Sequence, residues 1–308
     1  MTTILNINFN HTFPVLLLFV FMSCRSEDSG HLIDNWEIGT YTGILDNLDQ
    51  ETFQHCREIG IRYLEISSGT FLNKTDEEKL ALVDDLKLKA ENANIEFWSI
   101  HLPFSKTLDI SIIDEELRSI VVSEHIKLMK ILEPLGLKKF VIHPSAEPVD
   151  ESEREMRLSK CIESLRILTE EVKKYNANLA LEVLPRTCLG NTSTEILKIV
   201  HAVNNNLEIC FDTNHPLQES PEEFAKHVGR FISTVHVSDY DGENERHWIP
   251  GRGIIHWSQV IQELVNINYK GPWMYEVVPR KDDEQKPTPK NLVDTWNNLK
   301  REYLNFKR

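Results

Sequence analysis

The sequence lacks the cysteine spacing of a zinc finger or a redox pair, since its five cysteines include no C-x-x-C. It also lacks a Walker phosphate loop and a G-x-G-x-x-G dinucleotide motif, and the first predicted turn, Thr40-Tyr-Thr-Gly-Ile-Leu, has no glycine pattern of that kind. These absences count against a doubly wound nucleotide-binding sheet. Cys56, Cys161 and Cys210 fall on apolar helix faces or within a strand, so we expect them to be small buried hydrophobes.

Basic residues are few relative to acidic ones. The chain has 34 Lys and Arg against 48 Asp and Glu, a formal net charge of −14. This balance argues against a broad nucleic-acid-binding face, although a local basic groove remains compatible with it. No low-complexity segment interrupts the 308 residues, and a hydrophobic fraction of 41% suffices for a full core. The length fits one large α/β barrel or two ordinary domains.

An apolar run near the N-terminus, 13–23, is too short to span a bilayer but suits a secretory signal. Cys24 follows Ser23, as in bacterial lipoprotein signals, whose cysteine becomes the lipidated first residue of the mature chain. No Lys or Arg precedes the run and Phe21 stands where leucine is usual, so an ordinary cleaved signal or a misplaced start codon stays open. We predict a signal peptide over 1–24 with lipidation at Cys24, a polar tether over 25–33 and a barrel over 34–308. The predicted location is the bacterial cell envelope, in the periplasm or at the outer membrane.

From Trp36 onward, short apolar runs alternate with longer amphipathic segments. Helical spacing is clearest over 158–172 and 117–132, the latter ending near Pro134 and Gly136, and a last helix is predicted over 291–306. Eight strands, each followed by a helix, predict a single (β/α)8 TIM barrel. The predicted strands are 36–41, 62–66, 96–101, 139–143, 179–184, 208–212, 233–237 and 273–277.

Ionisable side chains stand at or just beyond the C-terminal ends of seven of the eight predicted strands. One such residue alone is commonplace, because a single histidine or glutamate there is usually hydrogen-bonded or solvated. Their recurrence at seven strand ends is unusual, because burying several carboxylates together is costly unless a cation offsets their charge. These residues are Glu65, His101, His143, Glu182, Asp212 with His215, His236 and Glu276.

Four of these residues suit one divalent metal ion. Glu182, Asp212, His236 and Glu276 offer mostly oxygen donors and one imidazole, a mixture that fits Mn²⁺, Mg²⁺ or Co²⁺. Zinc stays open, particularly if the additional histidines also bind metal.

The motifs around these residues resemble the xylose isomerase-like TIM-barrel superfamily, from about Trp36 to the C-terminus. The superfamily includes sugar phosphate isomerases and epimerases, ketose 3-epimerases, inosose-processing enzymes and endonuclease IV. The most specific part runs from His236 through Asp241-Gly and His247-x-x-Pro-Gly-Arg-Gly253 to Trp257. The other motifs are Leu181-Glu-Val-Leu-Pro185, Phe211-Asp-Thr-Asn-His215, Val235-His-Val-Ser-Asp239 and Tyr275-Glu-Val277.

The resemblance implies a divalent-metal-dependent isomerase or epimerase of a sugar or keto-sugar. It makes the four predicted metal ligands the family's ligands, and Glu182 and Glu276 its acid/base pair. One carboxylate would remove the proton beside a carbonyl and the other would return one, through an enediolate that the metal stabilises. Ketose 3-epimerases typically carry His-x-Gly-Glu where this chain has His236-Val-Ser-Asp239, so their sugar specificity is not carried over. The residues expected to bind or orient substrate are Glu65, His101, His143, His215, Arg246 and His247, with Arg246 and Arg252 equally open to a purely solvated role.

Two alternative functions stay open. A lyase or dehydratase acting on 3-keto-glycosides or inosose would begin with the same proton abstraction. An endonuclease IV-like zinc phosphodiesterase would use the histidines as further ligands, but the acidic chain, the export signal and the lack of an Arg/Tyr-rich DNA-probing loop argue against it. We therefore expect a small sugar partner, no nucleic acid, and membrane attachment only through the N-terminal lipid, with a homo-oligomer left open. The zinc ligands in that reading would be His101, His143, Glu182, Asp212, His215, His236, Glu245, His247 and Glu276.

Overall fold

Eight parallel strands form the centre of the computed structural model, which describes residues 32–204, 206–280 and 286–308. The predicted signal peptide, Cys24 and nearly all of the predicted tether lie outside the described residues. The strands are β1 Ile38–Tyr41, β2 Ile61–Ser67, β3 Glu96–His101, β4 Lys139–Ile142, β5 Asn178–Glu182, β6 Glu208–Asp212, β7 Ile232–His236 and β8 Trp273–Tyr275.

The strands follow chain order around the sheet, and β8 lies beside β1. The remaining gap between β7 and β8 is bridged just beyond the end of β7, where Val237 N donates to Met274 O (2.8 Å) and Glu276 N donates to Val237 O (3.1 Å). An all-parallel sheet in sequential order that nearly closes on itself is a TIM barrel, as predicted. Its C-terminal strand ends therefore share one rim.

Eight helices connect or follow the strands in the described part of the chain. They begin where the sequence supplies caps: Thr75 with Glu78, and Ser220 with Glu223, each form a reciprocal capping box. They are α1 Gln50–Ile59, α2 Asp76–Ala93, α3 Glu115–Leu132, α4 Arg154–Val172, α5 Ser193–Val203, α6 Pro221–Val228, α7 Trp257–Asn266 and α8 Pro289–Phe306. No helix among the described residues is long and apolar enough to cross a membrane.

Four predicted strands extend too far, to His143, Leu184, Val237 and Val277. Leu184 and Val277 are 3% and 1% exposed, so the apolar pattern continues into buried loops after the ladder hydrogen bonds have ended. The predicted strands over 96–101 and 208–212 match β3 and β6 without change.

The rim opposite the carboxylates is closed by a stack of tryptophans. Trp36 precedes β1, Trp273 begins β8, and Trp296 lies in α8; the Trp273 and Trp296 rings are 4.5 Å apart at 22°, and those of Trp36 and Trp273 are 6.0 Å apart at 8°. Trp36 Nε1 also donates to Tyr269 O (3.0 Å). Aromatic packing thus fills the N-terminal rim, while the C-terminal rim carries the ionisable groups.

Cysteine burial follows the prediction. Cys56, Cys161 and Cys210 are all buried free thiols, as is Cys188 in the loop after β5. Each is at most 4% exposed, so these side chains act as small core residues.

Candidate active site

The C-terminal strand ends bring the predicted acids and histidines together around Glu182, the last residue of β5. Glu182 Oε2 lies 3.0 Å from His101 Nε2 and 2.9 Å from His143 Nε2. Its Oε1 lies 3.0 Å from His236 Nδ1. Because Glu182 is fully buried, this carboxylate depends on the imidazoles around it.

The predicted ligand set also converges. One donor atom from each of Glu182, Asp212, His236 and Glu276 lies within 4.8 Å of the others. Asp212 Oδ2 and Glu276 Oε2 are buried and make no hydrogen bond within the described structure, although His236 Nδ1 lies 3.1 Å from Glu276 Oε2 without hydrogen-bond geometry. Buried carboxylate oxygens without a donor are costly, and a divalent cation would satisfy them. The residues therefore fit a metal ion.

His236 is oriented from behind by Glu65. Its Nε2 lies 2.9 and 3.0 Å from the two carboxylate oxygens of Glu65, which also accepts from Ser99 Oγ (2.7 Å). If the His236 proton is on Nε2, the lone pair of Nδ1 faces the carboxylates of Glu182 and Glu276. This arrangement is stable if a cation lies between these groups, or if the imidazole carries a second proton on Nδ1. Glu65 was expected to bind substrate. In the structure it is fully buried and contacts the His236 imidazole, the place of a group that orients this ring.

Charge and burial act in opposition within this cluster. Burial alone would raise the pKa of Glu182, but the charges of His236 and His101 outweigh it and hold that pKa well below its usual range. Burial raises the pKa of Asp212 strongly, and the charge of Glu276 raises it further. Burial would lower the pKa of His101, but Glu182 raises it to about 9. The neighbouring imidazoles thus stabilise the negative charge of Glu182, whereas Asp212 is crowded by other carboxylates.

Two more predicted histidines border the cluster. His215 Nδ1 donates to Val183 O (2.8 Å), and its Nε2 lies 3.6 Å from Glu245 Oε2. Burial lowers the pKa of His215 to about 4, so its imidazole is neutral at neutral pH. His247 Nδ1 lies 3.2 Å from Glu276 O and 3.7 Å from Glu276 Oε2.

Arg246 has a different environment from the one expected. Its Nε pairs with Asp241 Oδ2 (2.5 Å), and its guanidinium lies over Trp248, 5.7 Å from the ring centroid. Its backbone N–H, rather than its side chain, points to the site, donating to Asn214 Oδ1 (2.8 Å). Its guanidinium charge is therefore already compensated within the loop.

The loop after β7, residues 237–256, is organised by the buried carboxylate of Asp239. A Cβ at Gly253 would lie 2.0 Å from Tyr240 O and 2.3 Å from Asp239 Oδ1, so only glycine fits there. This packing explains the spacing of the most specific sequence motif, and it places Glu245 and His247 at the rim. The donors to Asp239 are the backbone N–H groups of Tyr240, Gly251 and Ile255 and the indole Nε1 of Trp257, at 2.8–3.3 Å.

Several rim side chains were not predicted. Tyr41 ends β1 and donates to Ser67 Oγ (2.9 Å); burial raises its pKa, and the nearby charges of Glu276 and Glu65 raise it further. Phe104 follows β3, and Arg186 follows β5. The sequence does place Tyr41 at the end of the first strand, the one predicted strand that ends without an acid or a histidine.

The residues required for a multi-zinc site also lie at this rim. His101, His143 and Glu182 form a second group of close donor atoms, and His215 and His247 lie beside Glu245 and Glu276. The donor set alone therefore does not separate a one-metal from a three-metal site.

A family model described as a xylose isomerase-like TIM barrel matches residues 53–299. The chain is 29% identical over 180 residues to an uncharacterized protein of Methanocaldococcus jannaschii, a match covering 56% of this chain and 61% of that one. It is 30% identical over 122 residues to D-psicose 3-epimerase of Ruminiclostridium cellulolyticum, covering 38% of this chain and 40% of that enzyme.

The fold also matches solved structures. A D-tagatose 3-epimerase-like protein superposes with a TM-score of 0.71 at 22% identity, covering 88% of this chain and 98% of that one. At this identity, the match bears on the fold.

Proposed function

The chain belongs to the xylose isomerase-like TIM-barrel family, and from this premise we propose that it is a divalent-metal-dependent epimerase or isomerase of a sugar or keto-sugar. The observation that carries the proposal is the pair of buried carboxylates, Glu182 and Glu276, which both approach His236 Nδ1, at 3.0 and 3.1 Å. The 30%-identical segment shared with D-psicose 3-epimerase supports the same reaction class.

Glu182, Asp212, His236 and Glu276 would hold the metal ion. When bound, a divalent cation supplies positive charge next to the carbonyl and hydroxyl oxygens of the substrate. The chain's own residues move the proton. A carboxylate of Glu182 or Glu276 accepts it from the carbon beside the carbonyl, and both have pKa values held low enough to begin as bases, although burial works against this.

Two carboxylates are needed for epimerisation, because the proton leaves one face of the carbon and returns to the other. An isomerase that moves the proton between neighbouring carbons on one face needs only one. His101 donates to Glu182 Oε2 and fixes the orientation of that carboxylate, while Glu65 fixes His236.

The charges at the rim favour an uncharged sugar over a sugar phosphate. The Arg186 guanidinium is held by Glu147 (2.6 Å) and by Glu245 (3.0 Å), and Arg246 is held by Asp241. A phosphate would have to break these ion pairs and approach a cluster that is already rich in carboxylates. Neutral hydroxyls can instead bind to His143, His215 and His247.

The experiment uses full-length protein with Cys24→Ser, reconstituted with Mn²⁺, Co²⁺ or Mg²⁺ and incubated with D-psicose, D-tagatose and D-fructose in D₂O. Turnover of any of these ketoses should appear as a change at the carbon beside the carbonyl, with deuterium incorporated there. Glu182→Gln and Glu276→Gln should each lower turnover by at least about 10³-fold, because each removes a proton-transfer group and a metal donor together. Glu243→Gln, an exposed change of the same kind in the loop after β7, serves as the control.

Retained turnover in both glutamate variants would refute the acid/base assignment. Elemental analysis of protein purified without chelator runs in parallel. Two or three zinc ions per chain, with cleavage of abasic-site DNA and no sugar turnover, would replace the proposal with the phosphodiesterase.

A further inference from the structure

Phe104 is an exposed apolar ring beside the two histidines that contact the proposed reacting carboxylate. It is 55% exposed, yet its ring centroid lies 4.0 Å from that of His143 at 30° and 5.0 Å from that of His101. Both histidines reach Glu182 Oε2 through Nε2, at 2.9 and 3.0 Å. The His143 imidazole therefore lies between the Phe104 ring and the carboxylate.

The backbone before Phe104 is fixed. Leu102 N donates to Val141 O (2.9 Å), and Leu102 O lies 3.0 Å from His101 Nδ1. Pro103 has a restricted φ, and its carbonyl oxygen lies 3.1 Å from Nε2 of the buried His125. The exposure of the ring is thus built into the loop.

A fixed aromatic ring that is exposed at the mouth of a polar site can be removed from water only by an apolar partner that packs on it, and this burial is favourable. A sugar is such a partner, because it carries a face of C–H groups as well as hydroxyls. A ring that offers no hydrogen bond would hold this C–H face while the histidines and carboxylates bind the hydroxyls. Phe104 would then hold the sugar at the mouth of the site, next to His143.

We propose that Phe104 is the platform on which the C–H face of the sugar packs, and that it sets substrate affinity and specificity. The inference rests on the proposed function in that it takes the ligand to be a sugar. Phe104 takes no part in proton transfer, so its effect is on binding.

The test compares Phe104→Leu, Phe104→Trp and Phe306→Leu. Phe306 in α8 is also 55% exposed and is a matched control for loss of an exposed ring. The probes are D-psicose, D-tagatose and D-fructose. For Phe104→Leu we expect a rise of about tenfold in KM with kcat within about threefold, since aromatic packing contributes energy of that order beyond the buried area. Saturation-transfer NMR should show weaker transfer to the sugar C–H protons, Phe104→Trp should restore both readouts, and Phe306→Leu should match the parent protein.

The failures are distinguishable. Sugar turnover with an unchanged KM and unchanged saturation transfer in Phe104→Leu overturns the platform and leaves the proposed function standing. Sugar binding without turnover in the parent overturns the proposed function, while saturation transfer still decides the role of Phe104. A fall in kcat accompanied by loss of bound metal would mean that Phe104 only shields His143 and Glu182, which also overturns the platform. If none of the three sugars binds the parent protein, both proposals fail.

Discussion

Replacing Asp239 by asparagine should release the loop after β7 from the barrel. The carboxylate accepts from Tyr240 N and Ile255 N at Oδ1, and from Gly251 N and Trp257 Nε1 at Oδ2. An asparagine amide keeps one acceptor oxygen and turns an NH₂ group towards the other two donors. In either orientation of the amide, two buried N–H donors therefore lose their acceptor oxygen and face the NH₂ group instead.

Each such donor costs about 1–3 kcal/mol, so Asp239→Asn should destabilise the native loop by roughly 2–6 kcal/mol. If the loop and the barrel unfold together, a loss of about 4 kcal/mol lowers the Tm by about 6 °C for a chain of this size, because the unfolding entropy is about 2.1 cal/mol/K per residue. If the loop detaches first, trypsin should cut rapidly after Arg246 and Arg252 while the barrel remains folded.

The assay pairs urea unfolding, followed by tryptophan fluorescence, with timed trypsin digestion. Asp241→Asn is the matched control, because that carboxylate lies in the same loop but keeps 24% of its side-chain surface exposed. We expect the control to change both readouts much less. If Asp239→Asn unfolds within about 0.5 kcal/mol of the parent and resists trypsin equally, the carboxylate does not anchor the loop.

Three further predictions concern the metal site, the buried cysteines and Cys24. Mn²⁺ at a concentration one hundred times its dissociation constant should stabilise the protein by about 2.7 kcal/mol. The rise in Tm should be reversed by EDTA and abolished by Glu276→Gln, and an unchanged Tm in the parent protein would contradict a native metal site. Burial raises the pKa of the Cys56 thiol to about 11 and that of Cys188 to about 12, so both thiols are protonated at pH 8. A Cys24→Ser chain should therefore react with Ellman's reagent at pH 8 only after unfolding, and rapid reaction of the native protein would contradict this. Cys24→Ser should also move the protein from the membrane fraction to the soluble fraction of a bacterial host and block palmitate labelling, and an unchanged distribution would refute the predicted lipid anchor.

The sequence alone was enough to predict the barrel, because its signals are local. Alternating apolar runs, helix caps and turn residues specify the strands and helices, and parallel strands in chain order bring their C-terminal ends to one rim. The grouping of Glu182, Asp212, His236 and Glu276 therefore follows from the sequence alone. Strand ends such as Leu184 and Val277 were less predictable, since buried loops carry the same apolar pattern as strands.

What each side chain faces was decided only by the closed barrel. Glu65 and His236 are 171 positions apart, and their contact turns Glu65 from an expected substrate ligand into the group that orients the imidazole. Arg246 turns to Asp241, and Phe104 packs on His143, because long-range backbone contacts fix the loops that carry them. Periodicity records which face of a strand or helix is buried. The direction of a side chain at a loop depends on neighbours that are distant in sequence, and only the tertiary structure brings those together.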